Sequence, residues 1–263
     1  MNAVIFSVSI FSEYKSWMID RWISALKDKF NECDIYVGIN PDTHVSVIDK
    51  LKSCGLNMKI SLVNRDLYCE SDASGTQAAL LEAKRSNKKY EYFWFMHTKG
   101  GVNERIDRFE YYINQFLLKR SEIELFLNQN PRIGSYGHYG VGMSVDGVTQ
   151  WRTLDHNEFD HANIPIVNNT IRIDPLLYSH INWSYVETFY VLHGKAINWL
   201  LENANDAYFN TKIKNRWYGE VVIPWLPSRM GMIPYVKYPV SNFSSVSLNI
   251  GTEEWIRENN ISI

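Results

Sequence analysis

Four short runs of β-branched and aromatic residues recur through the first hundred positions, and a stretch with helical spacing follows each of the first three. The runs are AVIFSVSIF (3–11), CDIYVGIN (33–40), MKISLVN (58–64) and YEYFWFM (90–96). Runs this short and this apolar suit strands that are covered on both faces. Between the first two, SEYKSWMIDRWISALKDKF (12–30) sets Trp17, Met18, Trp22, Ile23 and Leu26 at helical spacing behind Ser12 as N-cap. THVSVIDKLKSCG (43–55) reads as a helix closed by Gly55, and SGTQAALLEAKRS (74–86) as a helix entered through a glycine turn. Neighbouring parallel strands need a crossover between them, usually a helix. The alternation therefore predicts an α/β fold with a mostly parallel sheet flanked by helices. In open sheets of this kind ligands bind beyond the carboxyl ends of the strands.

The second half is less regular. RFEYYINQFLLKRSEIELFLNQN (108–130) reads as one long helix, and IGSYGHYGVGM (133–143) as a Gly-rich strand and loop. Residues 144 to 175 show few periodic signals and are expected to form a long loop or small subdomain, of the sort that serves as a lid or wall. A strand (186–192), a helix (194–204), a helix interrupted at Pro224 (217–231), a strand (234–240) and a short amphipathic end around Trp255 complete the reading.

Composition removes several classes of function. The formal net charge of −2 provides no global basic field for duplex nucleic acid, so no nucleic-acid partner is expected. Nine Trp and sixteen Tyr are many, and such residues fill cores but also line pockets for sugars or bases. Cys33, Cys54 and Cys69 lack metal-ligand spacing, and so few thiols fit a reducing compartment. The start, MNAVIFSVSIF, lacks the basic segment of a secretory leader, and no run approaches the length of a membrane span. A cytoplasmic protein is expected, able to reach the inner face of a membrane through partners. No G-x-G-x-x-G follows the first run, no Walker A loop occurs, and neither G-x-S-x-G nor H-E-x-x-H is present. Dinucleotide, hydrolase and zinc-protease chemistry therefore lack support.

The fourth run ends abruptly in His97, Thr98, Lys99, Gly100 and Gly101. In isolation HTKGG reads as a solvated loop. At the end of a buried parallel strand it reads as a ligand site. An ammonium, an imidazole, a hydroxyl and glycine amides open to close approach can all serve phosphate oxygens.

The strand order, the Gly-led helix and this signature resemble nucleotide-sugar glycosyltransferases of the GT-A fold, in particular a bacterial and viral subset that carries HTKG. Further matches are NWSYVETFYVLHG (182–194), similar to the family's later acceptor-side strand, and NRWYGEVVIPWL (215–226), similar to the following helix. The resemblance covers residues 3 to 226. It implies one domain over 1–263, with a nucleotide-sugar half (1–101) and an irregular acceptor half (102–263) carrying a loop or lid at 144–181. It also implies transfer of a sugar from a nucleotide-sugar donor to a glycan or glycolipid in polysaccharide biosynthesis.

In most of the family an Asp-x-Asp motif at the fourth strand end holds a divalent metal on the diphosphate. Here His97-Thr98-Lys99 stands in its place. Lys99 can neutralise the leaving diphosphate directly. Metal dependence is left open between Mn²⁺ or Mg²⁺ and none, with His97 as the metal ligand if there is one. Ser7, Ser9, Asn40, Asp66, Gly75, His97, Thr98, Lys99 and Gly100 are the expected donor-binding residues, and each also has an ordinary reading as turn, cap or strand end. Glu220 is the candidate general base, with Glu187 as rival. Trp183, Tyr190 and Trp217 are candidates to stack on the acceptor. A departure at Glu187-Thr188, where the family often has Gly-Asn or Gly-Thr, leaves inversion or retention open. Loss of Asp-x-Asp also suits an alternative, a catalytically degenerate module that binds nucleotide sugars without turning them over.

Overall fold

The computed structural model of the protein describes residues 1–68, 72–98, 106–143, 163–166, 169–172, 183–185, 188–212, 223–239, 247–248, 253 and 257. The alternating pattern of the first hundred residues is realised as β1 (Ala3–Val8), α1 (Trp17–Lys29), β2 (Asp34–Ile39), α2 (Val45–Ser53), β3 (Met58–Leu62), α3 (Asp72–Arg85) and β4 (Tyr92–His97). There follow α4 (Ile106–Tyr112), α5 (Arg120–Gln129), β5 (Ile133–Met143), β6 (Asn163–Ile166), β7 (Asn169–Arg172), β8 (Trp183–Tyr185), β9 (Tyr190–His193), α6 (Gly194–Asn203), α7 (Asp206–Phe209), β10 (Ile233–Pro239) and β11 (Ser247–Leu248).

Seven strands lie in the order β10-β5-β9-β4-β1-β2-β3, with β8 and β11 pairing onto β5. Strands β3, β2, β1 and β4 are mutually parallel. Strand β9 is antiparallel to β4 on one side and to β5 on the other, and β10 is parallel to β5. The sheet is thus mostly parallel, with helices on its faces, as the alternation predicts. The reversal of β9 brings its entry to the same edge as the exits of β1, β2 and β4.

The continuous apolar runs exist because both sheet faces are buried. On one face Ile5, Tyr36, Phe93, Phe95 and Tyr190 pack beneath Ala79, Leu80 and Ala83 of α3 and Ile197 and Leu200 of α6. On the other, Phe6, Val37, Trp94 and Val191 meet Met18, Trp22 and Leu26 of α1 and Ile113, Phe116 and Leu117. Each large apolar side chain so enclosed contributes about 1.5–3 kcal/mol. Close approach of α3 to the sheet depends on two glycines without side chains. A Cβ on Gly38 would lie 1.8 Å from the Gly75 carbonyl oxygen, and one on Gly75 would lie 2.2 Å from Ser7 Oγ.

Several elements differ from the sequence reading. Ser12 caps only a 3₁₀ turn, Glu13–Lys15, and makes no side-chain cap bond. Trp17 opens α1 but remains 41 % exposed rather than joining the core. The expected single helix over 108–130 is α4, then a π turn at Ile113–Leu117, then α5. The π turn adds a residue to one turn of the backbone, and the chain re-enters α-helix at Arg120. That side chain is buried against Phe30 and donates to Glu124 Oε1 at 2.7 Å. Part of the expected loop at 144–175 is the antiparallel pair β6–β7. Of the helix expected over 217–231, the described portion is two 3₁₀ turns, Ile223–Trp225 and Pro227–Met230.

Candidate functional site

Register places three residues side by side where the parallel strands end. Ser7 of β1 pairs with Gly38 of β2 on one side and with His97 of β4 on the other. Residues in register on adjacent strands share a face, and this one is the face beneath α3. The strand ends are tied by short polar contacts. Thr98 donates its amide to the Ser7 carbonyl at 3.0 Å, and its Oγ1 accepts from the Ser9 amide at 2.8 Å. Asn40 Nδ2 donates to Ser9 Oγ at 2.6 Å, and Thr43 Oγ1 donates to the Asn40 carbonyl at 2.8 Å. Thr98, Ser9 and Asn40 therefore hold β1, β2 and β4 in fixed relation at the edge.

The first turn of α3 covers this edge. Asp72, the first residue of that helix, brings Oδ2 to 3.7 Å from His97 Nδ1, and the two side chains are only 16 % and 12 % exposed. That separation is an ion-pair distance for a protonated imidazole, longer than a hydrogen bond. Asp72 Oδ2 and Ser7 Oγ are both buried without a hydrogen-bond partner. Buried polar atoms in native proteins normally find partners, so two in one place call for a physical reason.

The entry to β9 adds a strained residue. The last pair between β4 and β9 is Phe95 with Tyr190, and two residues further along each chain stand His97 and Thr188. Thr188 has φ of 45°, a left-handed conformation that β-branched residues seldom adopt, and its buried Oγ1 also lacks a hydrogen-bond partner. Such strain costs on the order of 1–3 kcal/mol and gathers at functional sites. Beside it, Phe189 stacks on Tyr112 at 3.8 Å between centroids and lies 5.2 Å from the His97 ring. His138 of β5 packs into the same aromatic group, and its Nε2 is 2.7 Å from the Tyr111 hydroxyl. Burial, helped by the Lys237 charge, lowers the His138 pKa to about 4, so the ring is neutral at pH 7.

The structure gathers some of the expected site residues and not others. Ser7, Ser9, Asn40, His97 and Thr98 converge at the edge. Asp66 sits on an exposed 3₁₀ turn after β3, its amide capped by Asn64 Oδ1, and the next residue, Leu67, accepts from Ser74 Oγ of α3 at 3.3 Å. Near that turn, a hollow of about 220 Å³ runs between Asn64, Gln77, Arg85 and Phe209. Gly75 serves helix–sheet contact, since the space a side chain would take is filled by Ser7. Tyr190 is fully buried and stacked on Phe95 at 4.9 Å, so its ring offers no face to an acceptor sugar. Lys99, Gly100, Glu187, Trp217 and Glu220 lie outside the described residues, and of Trp183 only the backbone is described, in β8. Asp72 and Thr188 carry no signal in the sequence. An Asp before Ala-Ser-Gly reads as a helix start, and nothing local marks a left-handed threonine.

Among the described residues, the donor set at this edge falls short of what a hard metal ion takes. Mg²⁺ and Mn²⁺ take oxygen-rich shells with several carboxylate or carbonyl ligands. His97 and Asp72 offer one imidazole and one carboxylate. Among the described residues, no group of three His, Cys, Asp or Glu is placed to hold an ion.

No protein-family model matches the chain, and no curated protein does. Among solved structures, it is similar to 4-diphosphocytidyl-2C-methyl-D-erythritol synthase from Anaerococcus prevotii DSM 20548, at 14% identity and a TM-score of 0.40, over 98% of this chain and 95% of that one. It is also similar to the mannosyltransferase Ktr4p from S. cerevisiae, at 11% identity and a TM-score of 0.34, over 85% of this chain and 65% of that one. Both likenesses fall below the level at which a shared activity follows.

Proposed function

We propose that this chain is a GT-A-like glycosyltransferase that moves a sugar from a nucleotide-sugar donor to a hydroxyl of a glycan or glycolipid in polysaccharide assembly. One observation carries the reading. Ser7, Gly38 and His97 lie side by side at the carboxyl edge of the sheet, next to the reversed strand β9, with unpartnered buried polar atoms around them. Open α/β sheets bind ligands at such an edge. Lys99 follows His97 by two residues, and its ammonium is assigned to the donor diphosphate. In the reaction, an acceptor hydroxyl attacks the anomeric carbon and the bond from that carbon to the phosphate oxygen breaks. The nucleoside diphosphate departs with its extra negative charge held by Lys99. Glu220 takes the hydroxyl proton, with Glu187 as the alternative base.

No helix among the described residues is long and apolar enough to cross a membrane. A glycolipid acceptor would be met at the cytoplasmic face. The test is a panel of UDP-, GDP- and dTDP-hexoses in thermal unfolding, with and without Mn²⁺, followed by transfer assays with the sugars that bind. A ligand that binds only the folded state raises the melting temperature. A shift with at least one donor, followed by transfer, supports the reading, and no shift with any donor refutes it. The replacement of Asp-x-Asp by His97-Thr98-Lys99 favours a second reading, a module that binds without turnover. A melting shift without transfer or hydrolysis would select it.

A further inference from the structure

The hollow of about 220 Å³ beside β3 has no part in the proposed reaction. It lies at the last strand of the sheet, since among the described residues β3 pairs with β2 alone. Ile35 donates its amide to the Asn57 carbonyl at 3.1 Å, and Val63 donates its amide to the Ile39 carbonyl at 2.9 Å. In a parallel ladder alternate residues address the neighbouring strand. Asn57, Lys59, Ser61 and Val63 therefore turn to β2, and the amides and carbonyls of Ile60 and Leu62 point outward. Outward rows of this kind are templates for another strand. The Leu62 side chain, 66 % exposed, is on the face away from α3, yet Leu62 also lines the hollow, so the hollow opens onto this edge. Its inner wall is one stripe of α3, with Gln77, Ala78, Leu81 and Arg85 at helical spacing. Phe209 of α7 completes the wall, and Gln77 Nε2 ties α7 in place by donating to the Tyr208 carbonyl at 3.2 Å. Helix α3 starts at the carboxyl edge beside His97, so Arg85 stands towards the amino end of β3, where Lys59 also lies. Cations are in excess there. Arg85 pairs with Glu82 at 2.6 Å and Lys88 with Asp34 at 2.7 Å, while Lys59 lies over the Tyr36 ring at 5.7 Å.

We infer that this groove takes a single extended peptide of a partner protein, added to β3 as a further strand. The peptide backbone pairs with the outward groups of Ile60 and Leu62. Its side chains alternate between faces, so one apolar residue enters the hollow against Leu81 and Phe209 and its neighbour covers Leu62. An acidic residue two positions from the first reaches Lys59 and Arg85. Charge decides against a second copy of this chain as the occupant. Paired antiparallel with itself about Ile60, β3 would bring a second Lys59 to the face where Lys59 and Arg85 already stand. The inference goes beyond the transferase reading and does not depend on it.

The probe is a phage-displayed library of random peptides, panned against the unmodified protein and against Ala78→Phe, which fills the hollow. The expected result is enrichment of peptides with an acidic residue two positions from an apolar one, absent on Ala78→Phe. The most enriched peptide is then synthesised and its binding measured by fluorescence anisotropy. Strand addition predicts that N-methylation at alternate residues weakens binding about tenfold, the loss from a hydrogen bond left unmade, while methylation at the residues between has little effect. Arg85→Glu, at an exposed position, should weaken the acidic peptide about fivefold, as a surface ion pair gives way to a like-charge contact, and should strengthen a version carrying lysine instead. That charge swap keeps the test decisive even where Ala78→Phe does not fold. No enrichment on the unmodified protein overturns the inference. A selected peptide indifferent to N-methylation overturns it by binding through side chains alone, and one indifferent to Arg85→Glu overturns it by binding elsewhere. A dimer in light scattering that Leu62→Lys dissolves and the peptide displaces overturns it in favour of a second copy. Displacement of the peptide by UDP overturns both this inference and the placement of the nucleotide beside His97, whereas failure of the peptide alone leaves the transferase reading standing.

Discussion

Gly38→Ala puts a methyl group into the tightest contact between sheet and helix. Its carbon would lie 1.8 Å from the Gly75 carbonyl oxygen and 2.8 Å from the Gly75 Cα. Ordinary contact begins near 3.4 Å, so α3 must retreat by about 1.6 Å at its first turn. The obstacle is backbone, which cannot rotate aside. Overpacking of this kind costs about 1–3 kcal/mol, and a rigid obstacle places this site at the upper end. Loss of chain freedom in the unfolded state returns about 0.4–1 kcal/mol, leaving a net loss of roughly 2 kcal/mol. For a chain of this length each kcal/mol shifts the melting temperature by about 2–4 °C, so a fall of about 4–8 °C is expected. Circular dichroism on heating measures it. Gly55→Ala serves as a control. Its φ of 80° disfavours a side chain, but no atom lies within 4 Å, so it loses only about 1 kcal/mol of backbone preference. Because the first turn of α3 also packs against the strand ends beside His97, Gly38→Ala should weaken nucleotide-sugar binding, whereas Gly55→Ala should not. A Gly38→Ala protein that melts at or above the unmodified one would refute the claim that bare backbone contact sets the height of α3 over the site.

Three further outcomes are expected. Lys99→Ala should abolish donor binding or turnover, measured by calorimetry and transfer assay, and near-normal kinetics would remove it from the site. Glu220→Gln should retain donor affinity and lose transfer by a hundredfold or more, the usual worth of a general base; unchanged transfer would move the base to Glu187. Stability should also fall with acid through His138, whose pKa of about 4 lies below the ordinary 6.5. The unfolded chain takes up the proton first, so this contribution is whole above pH 6.5 and is lost as pH falls towards 4. It amounts to about 3 kcal/mol at about 1.4 kcal/mol per pH unit. Urea unfolding at pH 7, 5.5 and 4 should show a shallower decline for His138→Gln, and parallel declines would contradict it.

The parallel half of the fold is legible in the sequence because its strands are buried on both faces. Residues such as Ile5, Phe6, Phe93 and Trp94 are apolar on successive positions, which suits a strand enclosed on both faces, and the short run bounded by turn residues favours it over a buried helix. The end of β4 is legible because the apolar run gives way to His97 and Thr98, although both side chains stay largely enclosed. The break in 108–130 is hidden because Phe109, Tyr112, Phe116, Ile123 and Leu127 keep near-helical spacing through a π turn that shifts it by a single residue. Only the burial of Arg120, in place of another apolar residue, hints at the change. The strand order near β9 is a tertiary fact, and YVL reads alike in either direction. Tyr190 illustrates the limit, because an aromatic in that run suits a sugar platform or a core equally until Phe95 is found stacked upon it. Asp72 is the strongest case. Its contact is with His97, twenty-five positions away in sequence and 3.7 Å away in space.

A crystal structure of the protein soaked with the nucleoside diphosphate of its best donor tests the central claim most directly. The account expects the nucleotide beyond the ends of β1, β2 and β4, beside His97 and Thr98, with its phosphates held by Lys99. A nucleotide bound instead in the hollow between Asn64, Gln77 and Arg85 would contradict it.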